Sequence, residues 1–430
     1  MKKYGFLLFL SACFLVLPFI LIGQEKNPND IMETLINQNQ IFELNSQYPL
    51  HKEKLNPALR VLSEAVLANA YNQTDSALRA IENIKTHHWN LSFEQKMNVI
   101  ILQSKLLLKR GDYPEAYQLL EEQLNNPTVL QYATESLLHS LKIALKQAEA
   151  LVGCPKSSIE RPQMDCIVPL VEGNKIPAQI NGKEALFIFD TGADAPAFIS
   201  RAFAEKHQIK VFEQTIPTGG IVATGETHIG FIDRLQIGNM VYRNFWTLVS
   251  PDDEISYHDT LISKADAVLG RHFMDVVGEI QILSTENKVL FPFHPSISEK
   301  DKNIILQNGQ PYIMVSLNEE KTPLHLDTGG GIALYASYYQ KNKEWIEKEG
   351  IKDSLGMAGF GGAKRYPIRI IPFMELIIAD VPTVMEEVPV FINAQGFSKE
   401  SDGMIGMDIL SRFYKVVLNF KEMYFAIERL

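Results

Sequence analysis

The spacing of apolar residues divides the chain into parts with different periods. From about residue 30 to 150, apolar positions recur every three or four residues, as at Leu59, Leu62, Ala65 and Val66 and again at Leu102, Leu106, Leu107 and Leu108. At 3.6 residues per turn such positions share one face, so this stretch is predicted helical. Ala, Leu, Glu, Gln and Lys dominate it and proline is rare, as helix propensity favours. From Ile167 onward the pattern becomes alternation punctuated by Gly, Pro and Asn, which predicts strands and turns. Residues 176–180 and 185–189 flank Asn181-Gly182, a pair suited to the two-residue hairpin turn that needs positive φ twice. One more apolar block, residues 5–23, carries no charge and follows Lys2 and Lys3.

That leading block has the outline of a secretory signal, with Gly23-Gln24 as the cleavage point. It also approaches the length that spans a bilayer, so an uncleaved anchor is the alternative. Leu10-Ser11-Ala12-Cys13 is similar to a bacterial lipoprotein box, but the residues after Cys13 stay apolar, and Cys13 reads as a small residue within the leader. The rest of the chain is expected to be exported, periplasmic or extracellular. Its 430 residues suggest several domains: a leader at 1–23, a helical domain at 24–150, a linker at 151–166, and two β-rich halves at 167–300 and 301–430. Apolar residues make up 46% of the chain, enough for real cores. A net charge of −10 without a long basic run argues against nucleic acid or an anionic membrane surface as partner.

Residues 110–120 resemble the turn and second helix of a tetratricopeptide repeat, and residues 72–84 echo it more weakly. Such repeats build partner-binding surfaces, so a protein partner of the helical domain is one expectation. A plain helical bundle packed on the next domain is the other. Cys154 and Cys166 stand 12 apart; in an oxidising compartment they could close a small loop through a disulfide, or remain two free thiols. Two cysteines without nearby histidines make no zinc site, and His228, His272 and His325 show no ligand spacing. No metal and no cofactor are expected.

The β-rich region contains an internal repeat. Asp190-Thr191-Gly192-Ala193 follows the apolar run Leu186-Phe187-Ile188-Phe189, and Asp327-Thr328-Gly329-Gly330 follows Leu324-His325-Leu326. Downstream come Ala267-Val268-Leu269-Gly270 and Gly403-Met404-Ile405-Gly406. The two aspartates lie 137 residues apart and the two later glycines 136. Between them each half has one glycine-rich stretch, residues 219–225 and 356–362. Three features in one order at one offset mark a duplication. Two carboxylates held close cannot both ionise, so they share a proton and can act as acid and base on an amide.

With these motifs the chain resembles the retropepsin-like aspartic peptidases over residues 167–430, with both lobes in one polypeptide, so a monomer suffices for the active site. The resemblance implies that Asp190 and Asp327 are the catalytic dyad. It implies that Thr191 and Thr328 bond the opposite loop, that Gly192 and Gly329 allow tight turns, and that Gly270 and Gly406 let a strand pass close. Retroviral members pair an aspartate four residues after the catalytic one with an arginine after the later glycine. Asp194 and Arg271 fill those places in the first half, while Gly331 and Met407 do in the second. Asp194 is thus expected in a structural ion pair with Arg271, and in substrate binding. Gly220 and Ile221 in one glycine-rich stretch, and Gly359 and Phe360 in the other, are expected in flaps over substrate. Ala193 and Gly330 lack the hydroxyl that pepsin-like enzymes place there, which predicts higher dyad pKa values and activity reaching toward neutral pH.

The expected fold class is multidomain: an N-terminal all-α helical-repeat or bundle domain, and an all-β bilobed aspartic protease domain of retropepsin or pepsin type. The expected function is an aspartic endopeptidase that hydrolyses extended polypeptides by a carboxylate dyad activating water. The alternative is a catalytically inactive binding module that recruits a protein partner through its helices, or a helical domain that covers the cleft.

Overall fold

The computed structural model describes residues 27–87, 91–219, 224–251, 255–257, 260–263, 267–297, 302–359, 362–393 and 401–429. The expected leader and the residues Gly220, Ile221 and Phe360 lie outside them. Eight α-helices among the described residues precede the β region: α1 (Pro28–Asn37), α2 (Ile41–His51), α3 (Pro57–Ala70), α4 (Thr74–Thr86), α5 (Phe93–Arg110), α6 (Tyr113–Leu124), α7 (Pro127–Tyr132) and α8 (Glu135–Leu151). Their ends follow from local chemistry. Asn56 caps α3 ahead of Pro57, and Ser92 and Gln95 form a capping box on α5, so orphan N–H groups are satisfied. Gly111, at φ 77°, ends α5 in the left-handed conformation. Turns at 71–73 and 111–112 make helical hairpins of α3–α4 and α5–α6, at the two segments with repeat-like sequence. No described helix is long and apolar enough to cross a membrane.

The β region begins with β1 (Ser158–Glu160), β2 (Cys166–Pro169), β3 (Lys175–Ile180), β4 (Lys183–Phe189), β5 (Ala197–Ser200), α9 (Arg201–Lys206), β6 (Lys210–Gly219), β7 (Thr224–Ile237) and β8 (Met240–Ser250). The small hairpin β9 (Ile255–Tyr257) and β10 (Thr260–Ser263) follows, then β11 (Ala267–Leu269), α10 (Arg271–Val277), β12 (Glu279–Leu283) and β13 (Lys288–Phe291). The second half runs β14 (Ile304–Gln307), β15 (Gln310–Leu317), β16 (Glu320–Leu326), β17 (Ala333–Leu334), α11 (Ala336–Lys341), α12 (Lys343–Glu349), β18 (Ile351–Gly359), β19 (Gly362–Ile378) and β20 (Val381–Phe391). It ends with β21 (Gly403–Ile405), α13 (Met407–Leu410), β22 (Lys415–Asn419) and β23 (Tyr424–Glu428).

The two halves trace the same path. In the first the strands pair in the order β8-β5-β11-β4-β3, and both β3 and β8 also pair with β7, which closes the sheet on itself. In the second the order is β20-β17-β21-β16-β15, and both β15 and β20 pair with β19. The register repeats as well: β11 runs parallel to β4 with Leu269 opposite Phe189, and β21 runs parallel to β16 with Ile405 opposite Leu326. Those parallel pairs fix where the chain leaves the sheet, one residue before each aspartate. A third sheet, β2-β13-β12-β22-β23, joins the halves through the antiparallel β12–β22 pair. The hairpin of β3 and β4 turns at Asn181 and Gly182, both at positive φ, as the type I′ turn requires.

Two expectations need correction. The β region is not purely β, since α9 to α13 are short helices of four to seven residues. The segment 151–166 is not a free linker: β1 within it pairs with β8, and backbone that can pair does so when it lies along a sheet edge. Cys154 and Cys166, for which a disulfide and two free thiols were both open, are both free. Cys166 is buried in the β core, its thiol near the Ile237 carbonyl, whereas Cys154 packs with the helices and β6. Twelve residues of chain carry the two into different cores.

The helical region is packed on the first half. Leu107, Leu120, Leu141 and Leu151 share one buried cluster with Ala195, Ile216, Ile229, Phe231, Trp246 and Leu248. Each buried apolar side chain of this size contributes about 1.5–3 kcal/mol relative to exposure, so the helices and the β6–β7 hairpin are held as neighbours by burial.

Candidate active site

Each aspartate begins a loop at the end of a central strand, and the two loops face each other across the junction of the halves. Asp190 N–H donates to the Leu269 carbonyl and Asp327 N–H to the Ile405 carbonyl, so the parallel strand beside each loop fixes its first residue. Gly192 and Ala193 donate backbone N–H to Asp190 Oδ1 at 2.7 and 3.1 Å. Gly329 N–H donates to Asp327 Oδ1 at 2.9 Å. These donors orient each carboxylate before any ligand arrives.

The loops are clasped by their threonines. Thr191 Oγ1 donates to the Leu326 carbonyl at 2.6 Å and accepts from Thr328 N–H at 3.0 Å. Thr328 Oγ1 donates to the Phe189 carbonyl at 2.8 Å and accepts from Thr191 N–H at 3.0 Å. Both side chains are fully buried, where a lost partner is costly. The glycines are explained by the opposite loop and not by φ, which is in the ordinary range at both. A Cβ on Gly192 would lie 2.7 Å from the Asp327 carboxyl carbon, and one on Gly329 would lie 2.5 Å from that of Asp190. Any other residue would push the facing carboxylate away.

Gly270 and Gly406 complete the arrangement. A Cβ on Gly270 would meet the Ala195 carbonyl oxygen at 2.1 Å, and one on Gly406 the Gly330 carbonyl oxygen at 2.0 Å. The residue after each glycine, Arg271 or Met407, donates N–H to the loop carbonyl of Ala193 or Gly330 at 3.0 Å. Gly330 itself faces the Met404 methyl, 2.1 Å from where its Cβ would be. The Met404 side chain therefore takes the space that the alanine methyl of the first loop has, which accounts for glycine at this position.

Burial is the largest influence on the dyad and raises both carboxyls above the ordinary range. The Asp327 charge and the hydrogen bond between the carboxyls raise Asp190 further, while that bond and the loop N–H groups act to lower Asp327. One proton is thus shared by two carboxylates that cannot both be charged. His325, two residues before Asp327 on β16, shares its face. Its ring lies 5.3 Å from that of Tyr312, its Nε2 finds no donor or acceptor among the described residues, and burial pushes its pKa down to about 4 against the pull of Asp190. Strand alternation was the available signal for placing His325 beside the dyad.

The halves differ beside their loops. In the first, Arg271 donates to Asp194 Oδ1 at 3.1 Å, and His272 Nε2 lies 3.5 Å from the same oxygen. Burial alone would raise Asp194, but His272 and Arg271 outweigh it and hold the carboxyl well below the usual range. In the second, the polarity is reversed: the Asp408 carboxylate on α13 accepts the Ile332 N–H of the loop at 2.8 Å. Asp408 fits against Gly331, whose Cβ would stand 3.0 Å from it. Sequence reading missed Asp408, because a carboxylate bonded to backbone has no partner side chain to search for.

The strands that flank the glycine-rich stretches pair, β6 with β7 as far as Gly219 opposite Thr224, and β18 with β19 as far as Gly359 opposite Gly362. The expected flap residues Gly220, Ile221 and Phe360 lie beyond those pairs, outside the described residues. Tyr366 and Ile368 of β19 pack with Ala333, Tyr335 and Met404 next to the second loop, so this hairpin is rooted beside Asp327. Among the described residues no group of three or more His, Cys, Asp or Glu side chains is placed to hold a metal ion.

Comparison with known proteins bears on the same region. None of the curated proteins matches the chain. Among solved structures, it is similar to a retropepsin-like aspartic protease from Rickettsia conorii, with 16% identity, 32% of this chain and 94% of that chain covered, and a TM-score of 0.21. Residues 176–273 match the family described as aspartyl protease, a stretch that begins on β3 and includes Asp190, Thr191, Gly192, Asp194, Gly270 and Arg271.

Proposed function

We propose that the chain is an aspartic endopeptidase whose dyad is Asp190 and Asp327. The observation that carries this reading is the reciprocal fit of the two loops: each threonine bonds the other loop's backbone, and each glycine leaves room for the other loop's carboxylate. That arrangement brings two carboxylates together with one proton between them. A water held by both is deprotonated by the charged member while the protonated member polarises the scissile carbonyl. Attack gives a tetrahedral gem-diol, and its collapse breaks the C–N bond as the proton passes to the leaving amine. Water supplies the new C–O bond, so no covalent enzyme intermediate is needed.

The substrate in this reading is an extended polypeptide, because β6 and β18 are edge strands of the two halves, and such an edge can pair with a peptide backbone. The Asp194 carboxylate, held by Arg271 and His272 at one side of the first loop only, makes the two ends of that cleft unequal. The signal-like outline of residues 1–23 in the sequence supports work outside the cytoplasm. The test is incubation of the purified full chain with a diverse peptide pool from acidic to neutral pH, with products read by mass spectrometry. Cleavage by the wild type and none by Asp190→Asn is expected. Cleavage that persists in Asp190→Asn, or none by the wild type at any pH, overturns the reading.

A further inference from the structure

The ion pair beside the first loop continues into the helical region. Arg271 donates to Asp275 Oδ2 at 2.5 Å as well as to Asp194. Lys109 of α5 reaches the same Asp275 Oδ2 at 3.0 Å and also bonds Asn72. Asn72, in the turn between α3 and α4, donates to Asp275 Oδ1 at 3.1 Å and to the Phe420 carbonyl at 2.8 Å. Asn72 holds φ at 57°, a left-handed position that asparagine tolerates.

Counted with His272 neutral, the lysine, arginine and carboxylate charges of this network balance only when the helices are present. Arg271 and Lys109 oppose Asp194 and Asp275, whereas Arg271 alone would face two carboxylates. Arg271 and Asp275 are almost wholly buried, so an unmatched charge here is expensive. Burial lowers Lys109, and Asp275 pulls it back up, so this partly buried lysine is matched to that carboxylate.

The end of the chain faces a cavity of about 360 Å³ between the helices and both halves, within the size range of ligand pockets. Ile36, Leu62 and Leu102 line it from the helices, with Trp246, His272 and Gly309 opposite. Asp194 opens into it with 44% of its side chain accessible. Its Oδ1 is engaged by Arg271 and His272, and Oδ2 has no donor among the described residues. Gly309 turns so close that a Cβ there would lie 2.2 Å from Oδ2.

We propose that Lys109 and Asn72 are positioning residues of the cleft: through Asp275 and Arg271 they hold Asp194 with Oδ2 facing this cavity, where it accepts an N–H from the far end of an extended substrate. The inference rests on the proteolytic reading and adds the helical region to the substrate-binding machinery. Losing a bond made equally in ground and transition states raises KM and leaves kcat alone.

The test compares two peptides with one cleavage site, a short one confined to the residues around the scissile bond and a long one extended at both ends. For Lys109→Met in the full chain, KM for the long peptide rises about tenfold, as for one charge-assisted hydrogen bond. Its kcat and the short peptide's kinetics stay as in the wild type, and Lys109→Arg restores the long peptide's KM. Asn72→Ala, which leaves every charge in place, gives a smaller shift in the same direction and serves if Lys109→Met does not fold. A long-peptide KM unchanged in folded Lys109→Met or Asn72→Ala overturns the inference. So does an equal loss on both peptides. In those outcomes the wild type still cleaves both peptides; if it cleaves neither, the proteolytic reading falls as well.

Discussion

Replacing Thr191 by valine tests the clasp between the halves without touching a carboxylate. The two side chains have nearly the same shape, so the change removes a hydroxyl and little else. It strands two buried groups, the Leu326 carbonyl and the Thr328 N–H, which the hydroxyl serves at 2.6 and 3.0 Å. Each unsatisfied buried polar group costs about 1–3 kcal/mol, so the loss is about 2–6 kcal/mol. Thr191→Ser keeps the hydroxyl and loses only a methyl, which costs about 1 kcal/mol. The assay is urea unfolding followed by fluorescence, with kcat measured on the same samples. Thr191→Val is expected to unfold at distinctly lower urea than Thr191→Ser and to lose activity more steeply than stability, because both carboxylates hang from the clasped loops. The double variant Thr191→Val/Thr328→Val is expected to cost less than the sum, since loops already parted lose less from the second change. If Thr191→Val matches Thr191→Ser in stability, the reasoning from buried hydrogen bonds is wrong.

Gly329→Ala places a methyl 2.5 Å from the Asp190 carboxyl carbon, where ordinary contact begins near 3.4 Å. The carboxylate must retreat by about 1 Å, and a displacement of that size is expected to lower kcat about 100-fold; kcat within twofold of wild type would refute the close approach. Burial and Asp327 raise Asp190 above its unfolded value. Stability from this group is therefore full at acidic pH, below about 4, and declines as pH rises toward the raised folded value. Asp190→Asn is expected to melt higher than wild type at neutral pH and alike at acidic pH, and equal melting at neutral pH would contradict a raised carboxyl. The same shift keeps the shared proton in place toward neutrality, so kcat/KM is expected to fall only when pH passes beyond the ordinary carboxylate range. A profile confined to strongly acidic pH is the contrary result.

What could be read from the sequence was whatever recurs locally. The two aspartate loops and their later glycines stand out because duplication stamped them twice at one offset, and the closed sheets place them at matching strand ends. The turn at Asn181-Gly182 was legible because its φ values demand those residue types. The rest depends on contacts between distant segments. The reason for Gly192 and Gly329 lies in the opposite carboxylate, which no local turn rule shows. The Met404 methyl that fills the place of an alanine, and Asp408 holding the loop N–H of Ile332, are exchanges between packed neighbours. Lys109 and Asp275 are far apart in the chain and meet only because the helices pack on the first half. Cys154 and Cys166 show the reverse, since their short separation left a bond and two free thiols equally open, and the fold carries them into different cores.

The most direct test of the central claim is kcat/KM on one identified peptide for the wild type, Asp190→Asn, Asp327→Asn and the double variant. If two carboxylates share one proton and act as a unit, each single change removes as much activity as both together. That is the expected result. Appreciable cleavage by either single variant, or losses that multiply in the double, would contradict a dyad drawn from the two halves.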